Sequence, residues 1–319
     1  MNQPEQGSNP IIAVVGSLNT DLVLHVELFP HEGETVLGDS LTQEPGGKGL
    51  NQAVAASRAG GAVALIGAVG ADSFGQSLKG VLAAEGIKDF VDTDPTHATG
   101  TAVIEVEAGG ANRIIVVAGA NDHVNADRVE EQLRALSSQH RIGVVLVQGE
   151  IDPEATERAL AVGQELGAVT ILNPAPMRDF PGRVFASTDY LIPNEFEARE
   201  LAALSDLPLT SMLDCVEAAN SMVDLGVKNV IVTRGEKGAV WANANGSGQT
   251  GAFRIVPVDT VAAGDSFCGV LACAINEGQP LSEALRWASA AGALAATRAG
   301  AVASLPQRAE IMNLLGLTD

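Results

Sequence analysis

Six short, continuously apolar runs recur along this chain: "IIAVVG" (11–16), "VALIGAVG" (63–70), "GVVLVQGE" (143–150), "AVTILN" (168–173), "DYLIPN" (189–194) and "NVIVTRG" (229–235). A strand that is apolar on both sides has no face for water, so it belongs inside a sheet covered on each face. Stretches of helical character lie between and after the runs, at about 48–59, 75–86, 153–166, 195–204, 212–225, 264–277 and 281–298. Strand–helix alternation on this scale predicts a doubly wound α/β fold. With 319 residues, 46% of them hydrophobic, the chain can fill such a core.

Two segments break the pattern. Residues 20–45 partly alternate apolar with polar and carry turn residues but no helix. Residues 99–118 read as a hairpin, "TAVIEVE", a Gly-rich turn, then "NRIIVVA". Alternation of this kind marks half-exposed, antiparallel strands. Both excursions are expected to form a small β layer, either a lid over a site or plain surface hairpins. No linker, repeat or low-complexity stretch divides residues 1–319, so one domain is expected. Residues 1–10, "MNQPEQGSNP", read as a loose polar tail without a signal-peptide pattern.

Charge and residue usage exclude several functions. Asp and Glu number 39 against 19 Lys and Arg, a formal charge of −20, which disfavours a broad nucleic-acid surface. Aromatic residues are only 3%, too few for a base-stacking platform. No apolar run reaches the roughly 18 residues of a membrane span. Cys215, Cys268 and Cys273 form no CxxC pair or zinc spacing and read as reduced thiols of a cytoplasmic protein.

Chemistry-bearing residues gather at strand ends, where open α/β sheets bind ligands. "GSLNTD" (16–21) ends the first run and carries Asn19 and Asp21, an amide and a carboxylate suited to sugar hydroxyls, or to a local turn. "EPGGKGLNQAVAAS" (44–57) is not a P-loop, since Thr42 and Gly49 stand where that motif needs Gly and Ser or Thr. What remains is Gly46, Gly47 and Gly49 around Lys48 at a helix start, with Asn51 in the first turn. Glu150 ends a further run. Asn194, Glu195 and Glu197 follow another, and the three-residue spacing from Asn194 to Glu197 also fits a capping box. Thr233, Gly235 and Gly238 end the last run as a turn or a nucleotide loop. Asp265, in "DTVAAGDSFCG" (259–269), opens an apolar helix as either a cap or a base beside bare backbone N–H groups.

The order "GSLNTD", "PGGKGLNQAVAA", "TGTAVI", "AGAN", "LNPAP", "PNEFEA", "VTRGEKG", "DTVAAGDSF", "TRAGAVASLP" resembles the ribokinase (PfkB) family of carbohydrate kinases over nearly the whole chain. That resemblance implies a Rossmann-like three-layer α/β/α domain with a mostly parallel central sheet and a small antiparallel β lid, which pairs in homodimers. It implies Asp265 as catalytic base, with Ala262, Ala263 and Gly264 forming the anion hole. It implies sugar contacts at Asn19, Asp21, Gly47, Lys48, Gly49, Asn51, Glu150 and Asp265. The nucleotide side would be Asn194, Gly264, Ser289 and the loop Thr233, Arg234, Gly235, Glu236, Lys237 and Gly238. Glu197 would serve magnesium and phosphate through water. A monovalent cation, usually potassium, would sit at Asp259, Val261, Ala295, Arg298, Gly300 and Ser304.

The implied reaction transfers the γ-phosphoryl of ATP to the 5-hydroxyl of D-ribose. Deoxyribose, fructose, a nucleoside or a sugar phosphate are the alternative acceptors, and a non-catalytic sugar-binding regulator is the alternative class. Low aromatic content weighs against a nucleoside, and Arg113 as the sole cation of 99–118 weighs against a sugar phosphate. Two positions depart from the family's habit: Ala262, where Gly is common, and Ser289, where His or Asn often touches the nucleotide.

Overall fold

The computed structural model describes residues 10–202, 209 and 211–317. Residues 1–9 of the expected tail and positions 203–204 of the expected helix 195–204 lie outside the described residues.

Nine strands form the main sheet. In chain order they are β1 (Ile11–Val15), β4 (Val63–Gly70), β5 (Lys88–Asp94), β8 (Ile142–Gln148), β9 (Val169–Asn173), β10 (Tyr190–Leu191), β11 (Asn229–Thr233), β12 (Ala239–Asn243) and β13 (Gly246–Thr250). Their spatial order is β13-β12-β11-β10-β9-β8-β1-β4-β5. All pairs from β5 to β11 are parallel, and β12 and β13 add an antiparallel edge. Alternate residues of one strand enter opposite cores: Ile12 and Val14 one, Ile11, Ala13 and Val15 the other. Buried residues of α1 (Lys48–Arg58) and α2 (Ser73–Ala84) complete the first core, with those of α8 (Ala263–Asn276), α9 (Leu281–Ala295) and α10 (Arg308–Leu315). Those of α3 (Ala126–Gln139), α4 (Pro153–Glu165) and α7 (Met212–Asp224) complete the second. The remaining helices, α5 (Arg183–Ala186) and α6 (Glu195–Leu201), are short.

The two excursions form one separate four-stranded sheet from β2 (Asn19–Val26), β3 (Ser40–Gly46), β6 (Gly100–Glu107) and β7 (Asn112–Val117), in the order β3-β2-β6-β7. The outer pairs are antiparallel as expected, but β2 and β6 run parallel, with Asn19 opposite Gly100. The reason is geometric. Both excursions leave parallel strands, β1 and β5, at their carboxyl ends, so their first strands continue in one direction.

The strands β5, β12 and β13 and the helices α3, α5 and α10 escape the sequence reading. Strand β5 is an edge strand, with Val91 its sole buried residue, so it lacks a doubly apolar run. Helix α3 carries Val129, Leu133 and Leu136 at helical spacing behind an Asn125 cap, and the charged residues between them break any continuous apolar run.

Candidate active site

The carboxyl ends of β1, β8 and β9 meet the first turn of α1 through Ser17, Gln148 and Asn173, and α1 in turn meets the start of α8 through Asn51 and Gln52. Ala262, just before α8, adopts a left-handed backbone (φ 57°), the sole non-glycine to do so among the described residues. An L-residue in that region costs roughly 1–2 kcal/mol. The kink starts α8 with no side-chain cap. A side chain added at Gly264 would meet nothing within 4 Å, so the leading turn is open. Open N–H groups at a helix start make an anion site.

Asp265 does not cap its own helix. It is buried and turned toward α1, where Asn51 Nδ2 donates to its Oδ2 at 3.0 Å and Gln52 Nε2 donates to its Oδ1 at 2.9 Å. The Asn51 carbonyl oxygen is buried and has no partner among the described residues, which leaves an acceptor for a ligand hydroxyl.

Glycines let α1 come this close. A Cβ on Gly49 would stand 2.5 Å from Ser17 N, and one on Gly47 would stand 2.7 Å from Asn19 N. Gly47 also has φ 91°, which excludes other residues on conformational grounds. Ser17 Oγ accepts from Gly49 N at 3.2 Å and donates to Glu150 Oε2 at 2.6 Å. The same Glu150 oxygen accepts from Lys48 N at 3.0 Å. Lys48 is surrounded by carboxylates. Asp265 holds its ammonium above the ordinary range, Glu150 and Glu197 add to this, and burial pulls the other way. Asp21 faces Glu44 across the β2–β3 ladder. Burial first, then Glu150, Glu44 and Asp265, push its carboxyl up to about 7.

Asn19 is held by Asn121, whose Nδ2 donates to Asn19 Oδ1 at 2.8 Å and whose Oδ1 accepts from Leu18 N at 3.0 Å. Ser17, Gln52 and Asn121 are the residues that sequence reasoning missed as individuals. Each stood inside a quoted motif, "GSLNTD", "GGKGLNQ" or "AGAN", but their side chains act on other site residues, and that is invisible from spacing.

A second group lies beside the first. Thr233 at the end of β11 bridges to Asn194, and Thr233 N donates to the Pro193 carbonyl at 2.9 Å. Asn194 and Glu197 form a full capping box on α6: Asn194 Oδ1 accepts from Glu197 N at 2.9 Å, and Glu197 Oε2 accepts from Asn194 N at 2.8 Å. Burial raises the Glu197 carboxyl, against the pull of that backbone donor. Arg234 turns away from the loop face, buried on Glu195 at 3.1 Å. Glu236 and Lys237 are exposed on the turn between Gly235 and Gly238. A Cβ on Gly238 would stand 2.1 Å from the Thr250 carbonyl, so this loop packs tightly on β13. Ser289 Oγ, on α9, is buried with no partner among the described residues.

Of the third group, Asp259 joins two loops: Oδ1 accepts from Val261 N and Oδ2 from Gly300 N, both at 3.0 Å. Arg298 pairs with Glu310 through its side chain. The Ser304 hydroxyl donates to the Ala301 carbonyl at 2.8 Å. No cluster of three or more His, Cys, Asp or Glu side chains fit for a metal occurs among the described residues.

An uncapped helix start, a buried carboxylate and a pocket of amides and carboxylates thus lie together at one edge of the sheet. The pfkB family carbohydrate kinase profile matches residues 10–308, and the chain belongs to that family. It is 38% identical to the ribokinase of Schizosaccharomyces pombe over 94% of this chain and 96% of that protein. The crystal structure of ribokinase from Thermotoga maritima matches with a TM-score of 0.86 at 36% identity, covering 96% of this chain and 99% of that one. Arabidopsis thaliana ribokinase, complexed with ribose and ATP, matches with a TM-score of 0.88 at 31% identity, covering 98% and 100%.

Proposed function

We propose that this protein transfers the γ-phosphoryl group of ATP to the 5-hydroxyl of D-ribose, yielding D-ribose 5-phosphate and ADP. The observation that carries the reading is Asp265. Its carboxylate faces Asn51 and Gln52 at the open start of α8, beside the polar pocket of Asn19, Asp21, Lys48 and Glu150. The likeness to ribokinases, one of them complexed with ribose and ATP, supports ribose as the acceptor.

Asp265 accepts the proton of the sugar hydroxyl as the oxygen bonds to the γ-phosphorus and the bond to the ADP oxygen breaks. General-base help of this kind is worth roughly 10²–10⁴-fold. Charge on the transferring group meets the turn of Ala262, Ala263 and Gly264, where Ala263 N now donates to the Thr260 carbonyl at 3.3 Å and would exchange that bond for a phosphate oxygen. Asn19, Asp21, Gly47, Gly49, Asn51 and Glu150 orient the sugar, and Lys48 adds positive charge. The nucleotide lies along Asn194, Ser289 and the loop from Thr233 to Gly238.

Glu197 keeps lone pairs beyond its capping bonds and would hold magnesium through water. That ion offsets phosphate charge when bound. The loops of Asp259, Val261, Ala295, Arg298, Gly300 and Ser304 would hold a monovalent cation, potassium in our reading, largely through backbone carbonyls. The carboxylate of Asp259, bonded to both loops, keeps them together. We further propose that the small sheet closes over the sugar as a lid and pairs two copies as a homodimer. The three cysteines are unpaired and buried, which supports a reducing, cytoplasmic setting. No helix among the described residues is long and apolar enough to cross a membrane.

The test is ATP turnover against a panel of ribose, deoxyribose, fructose, nucleosides and sugar phosphates, with the variant Asp265→Asn alongside. Ribose is expected to give the highest kcat/KM. Asp265→Asn should lower kcat at least about 100-fold with little change in ribose KM. Near-normal kcat in that variant removes Asp265 from the base role, and a stronger response to another acceptor reassigns the substrate.

A further inference from the structure

Gln52 follows Asn51 on α1 and is fully buried. Its amide nitrogen donates to Asp265 Oδ1 at 2.9 Å and to Asn173 Oδ1 at 3.0 Å. Its carbonyl oxygen accepts from Gln148 Nε2 at 2.8 Å. The orientation of this amide is dictated from outside. Asn173 Nδ2 donates to the Ile192 carbonyl at 2.8 Å, so Asn173 presents its oxygen to Gln52. A carboxylate only accepts, so Asp265 makes the same demand. Both Gln52 protons are therefore committed, and a flipped amide would set oxygen against oxygen twice.

The anchors are rigid. Gln148 ends β8 and Asn173 ends β9, both at the carboxyl edge of the sheet. Gly16 leaves room for this chain of amides, since a Cβ there would stand 2.0 Å from Gln148 Oε1. Asp265 is thus tied through one buried amide to two central strands. A network in which each member is held by the next restricts rotation about the Asp265 side-chain bonds.

We infer that Gln52 is a positioning residue for phosphoryl transfer. By engaging Oδ1 it locks the rotation of the Asp265 carboxylate, so that Oδ2, which among the described residues is shared with Asn51 alone, receives the hydroxyl proton. The sugar oxygen then bonds to the γ-phosphorus, and the phosphorus–oxygen bond to ADP breaks with its electron pair leaving on ADP. This inference rests on the reading of Asp265 as the base.

The test is Gln52→Met, which keeps side-chain length and removes the donor, in the wild-type protein and in an Asp265→Asn background. In the wild-type background kcat should fall roughly 10–100-fold, as a displaced catalytic group does, while ribose Kd and ATP KM change less than about twofold. In the Asp265→Asn background, Gln52→Met should leave the residual rate unchanged, because no base remains to be oriented. Normal kcat in Gln52→Met overturns the inference while leaving the base reading intact. Equal losses in both backgrounds overturn it in favour of packing alone. Normal kcat in Asp265→Asn overturns both. Should Gln52→Met fail to fold, Gln148→Leu removes the bond that orients Gln52, and a several-fold loss of kcat at constant ribose Kd is expected. Unchanged kcat there also overturns the inference.

Discussion

Under the proposed function, Asp21 places a titrating group at the sugar. An aspartate ordinarily loses its proton near 3.8, and here burial with Glu150, Glu44 and Asp265 delays this to about 7. Between those values the folded protein holds a proton that the unfolded chain has released, so this group's contribution to stability falls as pH rises and is level above about 7. Ribose hydroxyls donate best to the ionised form, so ribose Kd should rise as pH falls below about 7. Calorimetric titration on both sides of that value tests it. Asp21→Asn should flatten the dependence, and Glu44→Gln should move its midpoint to lower pH. A Kd that is level with pH in the wild-type protein would sink the idea. At this scale much was legible: Asn19, Asp21, Lys48, Asn51, Glu150 and Asp265 stand together as their motifs suggested. Gln52, Ser17 and Asn121 were not singled out, because a residue that acts on another side chain leaves no mark in local spacing. The cap reading of Asp265 is excluded only by the structure, in which Asn51 and Gln52 hold its carboxylate and α8 has no side-chain cap.

The site depends on how closely α1 and α8 cross. Gly269 of α8 lies against α1, and a Cβ there would stand 2.4 Å from the Gln52 carbonyl and 2.7 Å from Ala55 Cβ. Backbone atoms do not yield cheaply, so the helices must part. Gly269→Ala should therefore destabilise the fold by about 1–3 kcal/mol, as overpacking does. It should also lower kcat, since Asn51 and Gln52 would move from Asp265. Thermal unfolding and steady-state kinetics check the pair, and a variant with wild-type Tm and kcat would show that the crossing has slack. Element types were readable wherever burial was complete. The apolar runs at 11–16 and 63–70 became β1 and β4 because neither face meets water. Strands β5 and β13, at the two edges of the sheet, were unreadable by that rule because they bury too little, while β12 buries Ala239, Val240 and Ala242 in an apolar run too short to stand out. The run at 189–194 shrank to Tyr190–Leu191 because Pro193, lacking an N–H, interrupts the ladder, which resumes only as a single bridge at Asn194 before the chain turns into α6.

At the scale of the whole molecule, the small sheet stands apart with exposed apolar residues. Ile114, Ile115, Val116 and Val117 of β7 are all exposed, as is Leu41 of β3. Ile115 and Val117 share one face, opposite Val103 and Thr101. Lid-to-lid pairing would remove this surface from water. Sedimentation of the wild-type protein should give a dimer, and Ile115→Glu with Val117→Glu should give a folded monomer of unchanged far-UV circular dichroism. A wild-type monomer at micromolar concentration would overturn the pairing. The layered α/β architecture, the two excursions and the residue types of the candidate site were legible in local pattern, because burial on both faces and strand-end glycines leave their mark there. The tertiary structure alone decided that β2 and β6 run parallel, that Asp265 is held from α1 rather than capping α8, and that Gln148, Asn173 and Gln52 stand behind it. Those are contacts between residues up to 214 positions apart, and only the close crossing of two helices over the edge of the sheet brings them within hydrogen-bond reach.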